Sequence, residues 1–387
     1  MVTILSIILI SVLPLFYLNS NFNPYEFPKF FLFLLGSLLI SQVSIIKIIK
    51  KNDISNPLKN YAVITVLIFW MINLISDLIG FDPKTSLLGS QFRHQGFITL
   101  TSGVLLFFSL SIFNKERVSK KWFLLLPLSL FIISSIATIQ GIKFNFLEDY
   151  SIPNYNNRIV GTFGNPNFLG GYIVVLMTYI FLEKSIMGKI NIYLKLLLFL
   201  TCISSLFFSG SRGSFVSLFS VLLILFLYLF LKLPINKILK KTVLLLSFIF
   251  VIIFIALIQD QLSLRISYWE NRNFIWKNAI EAISKKPLFG YGQENFEISL
   301  PYQRMIRVDN THNIFLEILV SSGTVGLFSF IIFIFLILRK SDLAIKLSII
   351  AFLIRSQFNP LSIPEIALFW FLAGLSQNQS LKFSKKL

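Results

Sequence analysis

The chain has 387 residues, 55% of them hydrophobic and only 13% charged, with a formal net charge of +18. A soluble domain is about 25% charged, so this composition excludes a water-soluble globular fold. The positive charge does not point to nucleic acid, because most of it is lysine placed between apolar runs, as in a multi-span membrane protein.

Apolar runs of about 20 residues, the length that crosses a bilayer, recur about twelve times. The first covers roughly 2–19 and lacks the basic start and small-residue cleavage site of a signal peptide. The next are placed near 28–46, 61–79, 96–113, 122–141, 167–183, 192–209, 214–231, 242–259 and 313–338, and two shorter spans finish the chain. Lysines gather in alternate connections, which fixes those connections in the cytoplasm. On that orientation both termini are cytoplasmic, and the cytoplasmic segments hold 19 of the 25 lysines but 2 of the 10 arginines. The other 8 (Arg93, Arg158, Arg212, Arg265, Arg272, Arg304, Arg307 and Arg355) fall on the outer side. Lysine inside is ordinary topology. Arginine outside suggests a site for an anionic group, because guanidinium binds phosphate oxygens bidentately and keeps its charge.

The longest polar stretch, 260–312, is the main extracytoplasmic loop of what reads as one integral membrane domain over 1–387. Its pattern Ile266, Trp269, Trp276, Ile280, Ile283 predicts a helix at the membrane surface over 265–285. At 100° per residue Arg265, Trp269, Arg272 and Trp276 share one face, within roughly 60°. Lys286-Pro-Leu-Phe-Gly-Tyr-Gly292 then stops the helix, and Asn310-Thr-His-Asn313 opens the next span with Asn or Thr as cap.

Several residues carry chemistry. Gly210-Ser-Arg-Gly213 places Arg212 in a tight turn at the outer boundary, where it either snorkels to headgroups or binds phosphate. Arg272, one turn before Trp276, either anchors the interface or faces a lipid-linked phosphate. His312 sits where the loop re-enters the membrane and suits a general base or hydrogen-bond donor; Asn313 and Glu317 lie in the following turn and can orient it. His94, beside Arg93, is the second histidine. Gly164-Asn-Pro-Asn167 reads as a turn and cap, which leaves Arg158 without a turn-forming reason. Ser322, Gly323 and Gly326 read as helix packing. Cys202 is the single cysteine, which excludes an intramolecular disulfide. The outer loops show no Asp-x-Asp and no His/carboxylate cluster, so no metal and no other cofactor is expected, and no P-loop indicates ATP use. No internal repeat or charged pathway within the spans supports a transporter.

Taken in order, Arg93-His-Gln-Gly96, Arg158 with Gly161-Thr-Phe-Gly-Asn-Pro-Asn167, Ser211-Arg-Gly213, Arg272-x-x-x-Trp276 with Pro287-Leu-Phe-Gly-Tyr-Gly292, and Thr311-His-Asn313 with Glu317 and Gly323 resemble the O-antigen ligase / O-antigen polymerase family of bacterial membrane glycosyltransferases. The resemblance covers about 90–330. It implies an all-α polytopic membrane protein, glycosyltransferase-C-like and metal-independent, in the bacterial plasma (inner) membrane with its active site on the extracytoplasmic face. It implies a polyprenyl diphosphate-linked glycan as donor and a glycolipid, glycan or protein acceptor, among membrane lipids and with no nucleic acid. The family's functional residues map to His312, Arg272 and Arg212 as catalytic. Arg158, Arg93, Arg265, Asn313, Glu317 and Trp276 are expected on the diphosphate or glycan. The expected reaction is ligase-like transfer with inversion, as in lipopolysaccharide assembly. A repeat-unit polymerase and a pilin O-oligosaccharyltransferase remain alternatives of the same chemistry, and a lipid-linked oligosaccharide flippase one of another class.

Overall fold

The computed structural model describes residues 1–18, 23–51, 60–112, 118–146, 158–234, 236, 238–243, 245, 272–299 and 308–377. The described residues are helical, with no β-strand among them. In chain order the helices are α1 (Val2–Val12), α2 (Glu26–Lys51), α3 (Tyr61–Leu78), α4 (Pro83–Leu88), α5 (Phe97–Ile112), α6 (Leu125–Phe146), α7 (Pro166–Leu182), α8 (Lys184–Met187), α9 (Ile192–Ser209), α10 (Arg212–Lys232), α11 (Arg272–Lys285), α12 (Phe296–Ser299), α13 (Ile314–Lys340), α14 (Leu343–Arg355) and α15 (Ile363–Gln377). Short 3-10 turns extend α1 over Leu13–Leu15 and precede α6 over Lys120–Leu124.

Among the described residues six helices are long and apolar enough to cross a membrane: Glu26–Lys50, Tyr61–Leu78, Lys120–Asn145, Ile192–Ser209, Arg212–Lys232 and Ile314–Lys340. Four shorter apolar helices, Val2–Leu15, Phe97–Ile112, Pro166–Leu182 and Ile363–Gln377, fall on other expected spans. The span expected at 242–259 lies almost wholly outside the described residues, as do Arg265, Trp269, Arg304 and Arg307.

Asparagine and aspartate start these helices. Their short side chains accept the free backbone N–H groups of the first turn, which a bilayer cannot satisfy. Asn60 receives Ala62 N, Asp82 receives Lys84 N and Thr85 N, Asn165 receives Asn167 N, Asn191 receives Tyr193 N, and Asp342 receives Ile345 N. Pro166 stands at the first position of α7, where its missing N–H costs nothing.

The centre of the bundle is built on α7 and α15. Every residue of α15 except Ile366 is buried. Around them α3 packs on α13, α5 on α15 and α2, α14 on α7 and α10, and α6 on α9. Helix α10 keeps an apolar outward face, with Leu222, Phe226 and Leu229 exposed, as lipid contact requires. One end of the bundle brings together segments read as cytoplasmic: Lys340 Nζ donates to Asn60 Oδ1 (3.1 Å), and Asn60 Nδ2 to Gln377 Oε1 (3.2 Å). The opposite ends of α7, α10, α13 and α14 meet around the arginines.

Helix α13 is broken. Gly323 sits inside it at φ 66°, ψ −168°, a conformation essentially reserved for glycine. The break leaves carbonyls of the preceding turn without helical partners, and the Pro287–Gly292 turn supplies them: Tyr291 N donates to Val320 O (2.8 Å) and Gly292 N to Ser321 O (2.9 Å). In return Thr324 N donates to Pro287 O (2.8 Å). A Cβ on Gly323 would collide with the Leu288 carbonyl. The small residues Ser322 and Gly323, expected only to pack helices, therefore form the seat for the loop that follows α11.

Candidate active site

Four segments converge at the arginine end: the α9–α10 turn, the start of α11, the 310–313 turn before α13, and the 356–360 turn between α14 and α15. Gly210, at φ 55°, ends α9 and lets the chain reverse at once into α10, so Arg212 is fixed at the first position of that helix. A helix N-terminus also favours anions through its free N–H groups and dipole. Arg212 is exposed.

Arg272 opens the described part of α11. Its Nη2 donates to Asn359 Oδ1 (3.3 Å), and its guanidinium carbon lies 6.0 Å from the centre of the Phe358 ring. The Asn359 turn reaches this position because residue 213 is glycine: a Cβ there would strike Asn359 Nδ2. Burial and the repulsion of Arg212 push the Arg272 pKa down to about 10. It stays charged at neutral pH, and neither arginine has an ion-pair partner among the described residues. Two cations held near each other without carboxylates form a site short of negative charge.

Over the described residues 272–285 of the expected surface helix, one side of α11 packs against neighbouring segments. Trp276 Nε1 donates to Thr311 O (3.1 Å), and Ile275, Ala279 and Ala282 join Tyr291, Phe296 and Val320 in a small apolar cluster. Trp276 thereby fastens α11 to the histidine turn.

That turn is tightly specified. Asn313 caps α13 through Phe315 N (3.0 Å) and Leu316 N (3.2 Å). Glu317 Oε2 reaches back to accept Thr311 N and Thr311 Oγ1, both at 2.9 Å, in the manner of a capping box. His312 N donates to Asn310 Oδ1 (2.6 Å), and Ile314 N to Ser356 O (3.0 Å). These bonds hold His312 at φ 56°, an uncommon conformation for a side-chain-bearing residue, of the kind that clusters at functional sites. Burial lowers the His312 pKa to about 4, helped by the charges of Arg272 and Arg93 against the opposing pull of Asp309. The imidazole is therefore neutral at physiological pH. Asn313 and Glu317 act here on the backbone of the turn.

Three further described arginines, Arg158, Arg355 and Arg93, are engaged. Arg158 Nε donates to Ser209 O (2.6 Å) and its Nη2 to Asn167 Oδ1 (2.7 Å), which ties the end of α9 to the start of α7. Arg355 is fully buried, with Nε 3.0 Å from Glu365 Oε1, an ion pair by distance without hydrogen-bond alignment. Its Nη2 donates to Asn167 O (2.8 Å) and its Nη1 to Pro360 O (2.5 Å). Arg93 is surrounded by acids: Glu294 at 4.0 Å and Asp309 at 3.8 Å. Burial opposes its charge, but Asp309, Glu294, Glu317 and Glu26 outweigh it and raise its pKa. His94 packs between Phe27 and Phe30, with ring centres 5.1 and 5.4 Å away. Asn359 and Phe358, which touch Arg272, are the site residues that sequence reasoning missed. Gln-Phe-Asn-Pro360 looks like an ordinary turn until the fold brings it to α11. Among the described residues no group of three His, Cys, Asp or Glu is placed to hold a metal ion.

Residues 197–331 match the O-antigen ligase family. Over this stretch the chain is similar to O-antigen ligases. The matched stretch contains Arg212, Arg272, Trp276, His312, Asn313 and Glu317, whereas Arg93, Arg158, Phe358 and Asn359 lie outside it. None of the curated proteins matches the chain.

Proposed function

We propose that the chain is an inverting membrane glycosyltransferase that moves a preassembled glycan from a polyprenyl diphosphate carrier to an acceptor hydroxyl on the outer face of the bacterial plasma membrane, as an O-antigen ligase does. The observation that carries this reading is the pair Arg212 and Arg272, without carboxylate partners among the described residues, beside a neutral histidine.

A diphosphate ester needs no acid to leave, only a place for its charge. Arg212 and Arg272 hold it, and their attraction strengthens as the bridging oxygen gains negative charge in the transition state. The acceptor oxygen attacks the anomeric carbon opposite the diphosphate. As that carbon–oxygen bond forms, the anomeric bond to the diphosphate oxygen breaks and its electron pair leaves with the carrier. The acceptor proton passes to the His312 imidazole. Attack from the opposite face inverts the anomeric centre.

Donor binding also strengthens the base. Part of what lowers the His312 pKa is the charge of Arg272. A bound diphosphate offsets that charge and moves the imidazole toward the working pH, where a general base is most effective.

The test is a transfer assay in liposomes with a polyprenyl diphosphate-linked oligosaccharide. Carrier release that requires a separate acceptor supports the ligase; longer carrier-bound glycan makes the chain a polymerase. Arg212→Ala and Arg272→Ala are each expected to lower transfer about 100-fold or more, with the protein still inserted and folded. Full transfer by the Arg272→Ala protein would overturn the mechanism.

A further inference from the structure

Beside the histidine turn lies a second cavity whose chemistry is opposite to that of the arginine pair. It is a cleft of about 150 Å³ lined by Arg93, Gln293, Glu294, Asn310, Glu317 and Trp370 among others. A void of about that size takes a benzene ring, so it accepts one six-membered ring with its substituents projecting from the mouth.

The charge balance excludes a diphosphate here. The single guanidinium of Arg93 already faces Glu294 and Asp309, and Glu317 lines the same cleft. Further negative charge would meet repulsion. Neutral hydroxyls suit the lining: carboxylate and amide oxygens accept O–H groups, while the aromatic side chains of Phe69 and Trp370 add apolar lining for C–H groups. Two buried polar atoms of lining residues make no hydrogen bond among the described residues: Arg93 Nε, which has only a 4.0 Å ion pair to Glu294, and Gln293 Oε1; Arg93 is only 7% exposed. One is a donor and one an acceptor, and unmet buried polar groups of this kind carry a free-energy cost that a ligand relieves.

The cleft also adjoins the proposed base. Asn310 lines it and at the same time accepts the His312 backbone N–H. His312 is thus tied to the cleft through Asn310, and it feels the charges of Arg272, Arg93 and Asp309.

We infer that this cleft is a pyranose subsite, which receives the sugar ring of the acceptor and presents its hydroxyl to His312. The inference rests on the transferase reading above. It assigns Arg93 and Glu317 to the acceptor and leaves the diphosphate to Arg212 and Arg272.

The experiment uses the full-length protein in detergent and a panel of methyl pyranosides, read by saturation-transfer NMR. Gln293→Leu removes the unmet acceptor atom together with the Nε2 donor to Asn73 Oδ1, and Ser321→Leu fills the cleft. At least one glycoside is expected to bind the parent protein, with its signal reduced at least fivefold in both variants. In the liposome assay the acceptor concentration for half-maximal rate is expected to rise at least tenfold, with donor half-saturation unchanged. Gln293→Leu carries the test if Ser321→Leu fails to fold. Binding of no glycoside, or equal binding in the variants, overturns the subsite. Polyprenyl diphosphate binding retained in that case leaves the transferase reading standing; its loss in the parent protein removes both.

Discussion

Arginines of one sequence type divide by what surrounds them. Arg355 and Arg93 meet carboxylates, and Arg158 meets a carbonyl and an amide oxygen. Arg272 meets only the neutral Asn359 amide oxygen and feels the charge of Arg212, and neither has a carboxylate partner among the described residues. Guanidinium charge is permanent under physiological conditions, so the unpaired two attract an anion. Burial, with the charges of Arg272 and Arg93, fixes the protonation of His312. Its folded pKa of about 4 lies below the ordinary 6.5, so the unliganded site carries a usable base throughout the window between these values. Folding loses stability as pH falls from 6.5 toward 4, because there the unfolded imidazole takes a proton that the folded one refuses. The pH profile of kcat/KM reports the free enzyme and that of kcat the bound complex. The acid limb of kcat/KM is expected near pH 4, and that of kcat at higher pH, because bound diphosphate favours the imidazolium. Coincident limbs near 6.5 would show that the arginines do not bear on the histidine.

Helix ends were legible in the sequence because their causes are local. Asn165-Pro166, Gly210-Ser211 and Asn313 act within a few residues of themselves, and each stands where the pattern put it. The break in α13 was hidden, because its cause is thirty residues upstream. Ser322-Gly323 reads as a packing stripe until the backbone of Tyr291 and Gly292 is seen to fill the open carbonyls. Gly323→Ala must hold a near-forbidden conformation at about 1–3 kcal/mol and also push back Leu288. A lower thermal midpoint in detergent and loosened protection of 287–292 in hydrogen exchange are expected; an unchanged midpoint would mean the kink is not needed. Because this loop carries Gln293 and Glu294 into the cleft, the acceptor side is expected to weaken before the donor side.

At the scale of the molecule, charge counting assigned sides to the bundle and said little of its interior. Residues assigned to one face do gather at one end, as Lys340, Asn60 and Gln377 show. The buried pair Arg355–Glu365 looked like crowded span edges, because only the packing of α7 against α14 and α15 makes it a closed junction. Asn359 was invisible for the same long-range reason. Orientation is directly testable. In a Cys202→Ser background, Lys84→Cys and Lys189→Cys place thiols at exposed positions. An impermeant maleimide added outside cells is expected to label Lys84→Cys and spare Lys189→Cys; the reverse would invert the topology and put the arginine pair on the cytoplasmic face.

The most direct measurement is equilibrium binding of glycan-free polyprenyl diphosphate to the purified protein and to Arg212→Ala, Arg272→Ala and Arg93→Gln. Loss of a charge-assisted contact costs about 1.5–3 kcal/mol, so affinity is expected to fall roughly tenfold to a hundredfold in the first two and to hold in the third, with diphosphate preferred over polyprenyl monophosphate in the parent. Unchanged affinity without Arg212 or Arg272, or a loss as large without the Arg93 charge, would contradict the assignment of the diphosphate to the arginine pair.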